Sequence, residues 1–279
     1  MPYEFPLAVH ETFLKDKPRG FNDWHWHEEI QFSYILEGEM IMTCMGHDFL
    51  LRPGDGIFLN SNCSHMSRPV NPESARYLSL NIKPSLLTLF HGSVVEQKYF
   101  LPYANSPKMQ VIAFSPEIPE EAFFLEAVLY LFRLIQEKGF GYELEVYAQL
   151  LHVWKTLLII SETHSVQPLK LEREEAHAML MYIHQHFTEN ITIEDLSKHV
   201  HLSKGECSRV FQAAYGTSIT THIIDYRISQ SIPLLSGTNL SMTQIAEQCG
   251  FNSSSYFTKV FREKVGMPPL QYRKEQIEK

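Results

Sequence analysis

The chain has 279 residues, 44% of them hydrophobic, with 24 Lys+Arg against 32 Asp+Glu and a formal net charge of −8. That length accommodates about two domains with packed cores. The acidic balance excludes binding driven by a basic surplus alone. No signal peptide and no apolar run of membrane-spanning length is present. Cys44, Cys63, Cys207 and Cys249 have no paired spacing, which fits reduced thiols and a cytoplasmic setting. No phosphate-cradling glycine loop or nucleophile elbow occurs.

From Gly20 to Pro84 turn signals recur closely: Glu37-Gly38, Met45-Gly46, Arg52-Pro53-Gly54-Asp55-Gly56, Asn60-Ser61-Asn62, Arg68-Pro69 and Asn71-Pro72. The β-prone segments between them, Ile30–Leu36, Glu39–Cys44, Gly56–Leu59 and Arg76–Ile82, predict a small barrel or sandwich. Trp24-His25-Trp26-His27-Glu28-Glu29-Ile30-Gln31, Gly38, Pro53-Gly54-Asp55 and His65 resemble the two cupin signatures. On a strand His25 and His27 share a face, Gln31 keeps their parity, and His65 closes the set from a second strand. Tyr34, on the opposite parity, is excluded.

Three readings of that cluster compete. It is a pocket whose histidines hydrogen-bond a small polar ligand, a metal site, or a set of barrel-filling polar residues. The first is preferred and the site is expected to be metal-free, because Gln31 stands where metal-binding cupins have Glu and adds no charge. Three imidazoles would still suffice for zinc, iron or nickel. No cofactor is expected.

Two amphipathic helices follow. Pro119 opens one running to about Lys138, with Phe124, Val128, Leu131 and Ile135 on a stripe. Another spans about 143–161, with Leu144, Tyr147, Leu151, Trp154 and Leu158 at helical spacing. They either cover the barrel alone or also form a dimer interface, the preferred reading, with Trp154 and Tyr147 as anchors. Residues 162–171 are polar and aperiodic and read as a linker.

The remaining residues carry one pattern twice. Ile193, Leu196, Leu202-Ser203, Val210-Phe211 and Gly216 are matched by Met242, Ile245, Phe251-Asn252, Val260-Phe261 and Gly266. Leu196 and Ile245 are 49 positions apart; Phe211 and Phe261, and the two glycines, are 50 apart. One residue has therefore been gained in a turn of a duplicated helix-turn-helix unit. Thr192, Ser203, Ser241 and Ser253 stand at cap positions. The outer faces of the two second helices offer Ser203, Lys204, Gly205, Ser208, Arg209 and Gln212, then Ser253, Ser254, Ser255, Thr258, Lys259 and Arg262, for DNA contact. Residues 172–279 hold 11 basic and 12 acidic side chains, so geometry rather than charge carries this expectation.

Arg227-Ile228, Leu234-Leu235, Ile245-Ala246, Cys249-Gly250-Phe251, Ser255-Tyr256-Phe257, Phe261-Arg262, Pro268-Pro269 and Tyr272-Arg273 resemble the DNA-binding domain of AraC-type transcription regulators. The resemblance covers about 172–279 and implies a linker helix at about 219–236. Pro233 lies inside that helix, Ser231 replaces the usual Ala, and Cys207 replaces a larger apolar residue. The resemblance also implies a cupin-like effector domain, dimerisation through its helices, and an N-terminal arm, Met1–Asn22, folded over the barrel mouth.

The expected fold is α+β multidomain. A cupin-like β-barrel with two helices (1–161) and a linker (162–171) precede an all-α domain of two helix-turn-helix units joined by a linker helix (172–279). The expected function is a cytoplasmic, non-enzymatic, ligand-responsive regulator that binds double-stranded promoter DNA as a homodimer. A small effector such as a sugar would bind at His25, His27, Gln31 and His65. The alternative is a metal-dependent cupin isomerase or dioxygenase with an attached DNA-binding domain.

Overall fold

The computed structural model describes residues 5–17, 20–44, 47–71, 75–104, 106, 109–163 and 174–277. The chain divides into two compact units, Met1–Leu171 and Glu172–Lys279. The expected linker at 162–171 lies outside the described residues from position 164 onward.

In the first unit the strands are β1 (Leu7–Phe13), β2 (Asn22–His25), β3 (Ile30–Glu37), β4 (Met40–Cys44), β5 (His47–Leu51), β6 (Gly56–Leu59), β7 (His65–Pro69), β8 (Arg76–Ile82) and β9 (Val111–Phe114). They form a five-stranded sheet, β1-β8-β3-β6-β9, and a four-stranded sheet, β2-β7-β4-β5. All pairings are antiparallel.

Side-chain alternation explains both cores. On β6, Ile57 and Leu59 join Ile35, Met40, Met42 and Tyr77 in one cluster, while Phe58 joins Phe32, Leu80 and the long helices in another. Covered on both faces, β6 is buried at every position. On β3 and β8, Ser33 faces Ser79, and Gln31 faces Asn81 two residues along on the same side. Gln31, Ser33 and Ser79 are buried, so this face carries a polar patch beside an apolar stretch at Ile35 and Tyr77.

The expected N-terminal arm is corrected for Leu7–Phe13. These seven residues are an edge strand, paired with β8 from Leu7 opposite Ile82 to Phe13 opposite Arg76. Leu7 and Val9 pack on the helix-side core, which anchors the strand by one face. A second unforeseen segment joins β8 to β9: α1 (Ser85–Thr88), a π-helical turn (Glu96–Phe100) and α2 (Leu101–Ala104). Asn60 Nδ2 donates to the carbonyls of Tyr103, Ala104 and Met109 at 3.1, 3.2 and 2.9 Å, tying this excursion to the end of β6.

Helices α3 (Pro119–Glu137) and α4 (Tyr142–Thr163) cover the five-stranded sheet. α3 begins with Pro at N1 and ends at Lys138, in the left-handed conformation. α4 divides the stripe expected for a dimer. Trp154 and Leu158 are 3% and 8% exposed and belong to the protomer's own core, whereas Leu144 is 77% exposed. Trp154 packs near Phe58 and Phe100 and donates its Nε1 proton to Tyr99 O at 2.9 Å. It is an internal anchor, which corrects its expected role in an interface.

The second unit is all helix: α5 (Glu174–His186), α6 (Ile193–Val200), α7 (Lys204–Tyr215), α8 (Ile219–Gly237), α9 (Met242–Gln248), α10 (Ser254–Val265) and α11 (Pro269–Ile277). Reciprocal capping boxes form at Thr192/Asp195, Ser203/Glu206 and Ser241/Gln244, and Ser253 accepts from the Tyr256 amide. Each such cap stabilises by about 1 kcal/mol. α8 continues through Pro233 to Gly237. Its buried Ile228 and Leu235 lie on either side of the proline and join the second unit's core, so packing outweighs the ~3 kcal/mol cost of an internal proline.

Candidate functional site

The two helix-turn-helix pairs are α6–α7 and α9–α10. In each, the residue ending the turn donates its amide five residues back: Leu202 to Ser197 at 3.2 Å and Phe251 to Ala246 at 2.8 Å. These residues are 49 apart, whereas the caps Ser203 and Ser253 are 50 apart, so the gained residue falls at Asn252 or Ser253. Cys207, Val210 and Phe211 are buried on α7, and Phe257, Val260 and Phe261 on α10.

The opposite faces carry the expected contact residues. Lys204, Gly205, Ser208, Arg209 and Gln212 are exposed on α7. On α10 Ser255, Lys259 and Arg262 are exposed, while Ser254 and Thr258 are half-buried. Ser203 and Ser253, though exposed, have hydroxyls that already cap their helices. The cations sit beside acids: Lys204 at 2.9 Å from Glu194, Arg209 at 3.8 Å from Glu206, Lys259 at 4.0 Å from Glu263. Exposed pairs of this kind contribute about 0–1 kcal/mol, so a phosphate displaces the acid at little cost.

Reasoning from sequence missed what joins the two pairs. Arg227 on α8 donates from Nε to Phe187 O at 2.7 Å and from Nη2 to Glu189 O at 2.6 Å, and its guanidinium lies over Phe251. Lys264 of α10 reaches Asp225 of α8 at 2.8 Å. Gly250, with φ +79°, lets the second turn approach the loop after α5. The available signal was an arginine in the middle of a linker helix, a position that otherwise calls for a packing residue. Tyr256, 48% exposed on α10, is a further outward side chain that the sequence reading left out.

In the first unit the structure brings His25, His27, Gln31 and His65 together. β2 ends at His25 and carries a register shift, so His27 lies beyond the strand and convergence does not arise from strand alternation. The ring centroids are 4.1 Å apart for His25–His65, 5.2 Å for His27–His65 and 6.1 Å for His25–His27. Each Nδ1 faces a backbone carbonyl: His25 to Asp23 at 2.7 Å, His27 to Glu29 at 2.8 Å, His65 to Cys63 at 2.9 Å. A carbonyl only accepts, so Nδ1 carries the proton and the lone pair of each neutral ring is on Nε2. Burial holds His25 down to about 4 and pushes His65 well below the usual histidine range, with the neighbouring His25 adding to the latter. Gln31 Oε1 lies 3.0 Å from His27 Nε2, and Gln31 Nε2 donates to Ser33 Oγ at 2.8 Å. Tyr34 packs on the helix-side core, as its parity requires. Two buried polar atoms on the flanking residues have no partner: Trp26 Nε1 and Asn81 Oδ1.

Residues 12–174 match the family described as the AraC-like ligand binding domain, and residues 196–275 match the helix-turn-helix domain family. The chain is 31% identical over 272 residues to the HTH-type transcriptional regulator YdeC of Bacillus subtilis, covering 97% of this chain and 92% of the relative. The chain belongs to the AraC family of transcription regulators. This AraC-family chain is also 33% identical over 123 residues to the melibiose operon regulatory protein of Escherichia coli, spanning 43% of this chain and 41% of that one. Among solved structures, apo ToxT from Vibrio cholerae, a point variant, aligns with a TM-score of 0.52 at 14% identity over 97% of both chains. Wild-type ToxT bound to an unsaturated fatty acid aligns at 0.50, with 15% identity, over 96% of this chain and 94% of that one. At these identities the likeness is one of fold. As an AraC-family member the protein is a ligand-responsive transcription regulator, with a DNA-binding unit and a ligand-binding unit. Among the described residues no helix is long and apolar enough to cross a membrane.

Proposed function

We propose that this regulator is a non-catalytic cytoplasmic homodimer that reads promoter DNA with the outer faces of α7 and α10. In this reading it senses a small polar effector, of sugar-like chemistry, at His25, His27, Gln31 and His65. The observation that carries the DNA reading is the pair of in-phase capped helices, whose inward residues are packed and whose outward residues are Lys, Arg and small hydroxyls. Arg209 and Lys259 are the long cations centred on those faces. The effector reading rests on the buried polar face of β3 and β8 meeting three imidazoles in an otherwise apolar barrel, the common form of a small-molecule site.

Gel-shift titration of the native chain, Arg209→Ala and Lys259→Ala on its own upstream DNA tests the first part. Each variant should lose about 1–3 kcal/mol, roughly 5- to 150-fold in affinity. Unchanged affinity in both would remove the assignment.

The dimer is placed on the outward stripe of α4, Leu144, half-buried Leu151 and Ile159, with Phe123 and Tyr130 of α3 also exposed and apolar. A charge at buried Leu158 would unfold the protomer, so the informative variant is Leu144→Glu with Ile159→Glu. It should stay folded, sediment as a monomer and bind a two-site operator poorly. A native chain that is monomeric at micromolar concentration would refute the interface.

A further inference from the structure

We propose that His25, His27 and His65, with Gln31 Oε1 as a fourth donor, form a binding site for a borderline divalent transition metal, of which zinc is the best match. One ligand-capable atom from each histidine lies within 4.8 Å of the others. With every Nδ1 proton committed to a backbone carbonyl, the free lone pairs are the three Nε2 atoms. Histidines that merely fill a barrel use both ring nitrogens. Here no hydrogen-bond donor from the described residues pairs with Nε2 of His25 or of His65. The carbonyls fix tautomer and ring orientation, as outer partners do for ligating histidines.

The contact between His27 Nε2 and Gln31 Oε1 points the same way. At 3.0 Å two acceptors face each other, and a cation beside them satisfies both. That separation is about the spacing of two adjacent donors around an ion with ~2.1 Å bonds. Turning the Gln31 amide would relieve this pair but leave the other two Nε2 atoms without a partner. Gln31 carries no charge, which argues against a dication. The Glu29 carboxylate, 3.9 Å from His27 Nδ1, supplies a negative charge behind one of the ligands. Three neutral imidazoles and an amide oxygen form a borderline donor set, suited to zinc, iron or nickel and ill suited to magnesium or calcium. Resting on the effector-site reading, the ion's remaining positions would take oxygen donors of the effector, which would then be a carboxylate or vicinal diol.

The test is titration of Zn2+ alone into chelator-stripped full-length protein, against a competing chromophoric chelator. One zinc per chain is expected. His27→Ala and His65→Ala should each weaken binding at least roughly tenfold, and His91→Ala, at an exposed site, should not. Gln31→Glu adds the missing charge and should tighten binding, a gain that no structural role for Gln31 produces. No stoichiometric binding, or equal binding in the native chain and both histidine variants, overturns the proposal. Promoter occupancy in cells separates the two readings. Occupancy that responds to His27→Ala without zinc binding leaves the effector site standing and the metal refuted. One zinc per chain, with occupancy indifferent to the variants, leaves the metal site standing alone.

Discussion

Gly250→Ala is expected to cost the DNA-binding unit about 3–5 kcal/mol and most of its DNA affinity. A Cβ there would stand 2.5 Å from Phe187 O, 2.9 Å from Thr188 Cα and 3.0 Å from Arg227 Nε. Two of those neighbours are backbone atoms and cannot swing aside. The carbonyl is also the acceptor for Arg227, so the methyl group strikes the bond that holds α8 to the loop after α5. Three contributions add: about 1–2 kcal/mol for alanine at positive φ, ~1.5–3 for a weakened charged hydrogen bond, and displacement of the loop. The total is a large share of the ~5–15 kcal/mol that holds a domain folded. Gly216 and Gly266 also have positive φ, but with nothing within 4 Å of a Cβ. Alanine at either should cost only the first contribution. Urea unfolding followed by helical circular dichroism, with a gel shift alongside, compares all three. A Gly250→Ala midpoint equal to that of Gly266→Ala would show that the close approach does not matter.

Phe58→Ala should destabilise the barrel unit by about 3–5 kcal/mol, the usual cost of emptying a core phenyl site. Phe58 is fully buried, 5.3 Å from the Phe32 ring and 6.3 Å from Trp154, at the seam where the five-stranded sheet meets α3 and α4. The chain's three tryptophans, Trp24, Trp26 and Trp154, all lie in the first unit, so indole fluorescence reports on it selectively. A fluorescence-monitored midpoint within error of the native chain would refute the packing account.

What was legible in the sequence was what local chemistry decides. Caps, inward apolar spacing and terminal glycines placed α6, α7, α9 and α10 within a residue or two, because each signal acts inside its own helix. β1 was not legible. Its His10-Glu11-Thr12 stretch looks like a solvated arm, and only the partner strand 65–69 positions away makes it a strand. The excursion between β8 and β9 was hidden for the same reason, since Asn60 fixes it from more than 40 residues away. α4 misled in another way. It is apolar on more than one stripe, with Val146, Leu150, Val153 and Leu157 fully buried, so periodicity alone could not say which stripe faces the core. Arg227 failed to stand out because its partners are backbone carbonyls, which no sequence pattern displays. At the histidine cluster the residues were right and the route was wrong, because His27 arrives from a loop.

The duplication within the second unit has a consequence for the operator. A pair of subunits related by a two-fold axis reads the same sequence from either end. Two copies in tandem on one chain read head to tail, as a word with a beginning and an end. The extra residue in the second turn, and the different side chains of α7 and α10, make the two syllables unequal as well. A single chain bound to its site therefore has a heading along the promoter. Reversing the site turns the protein around, so the surface it offers to whatever lies downstream changes with the orientation of a few bases.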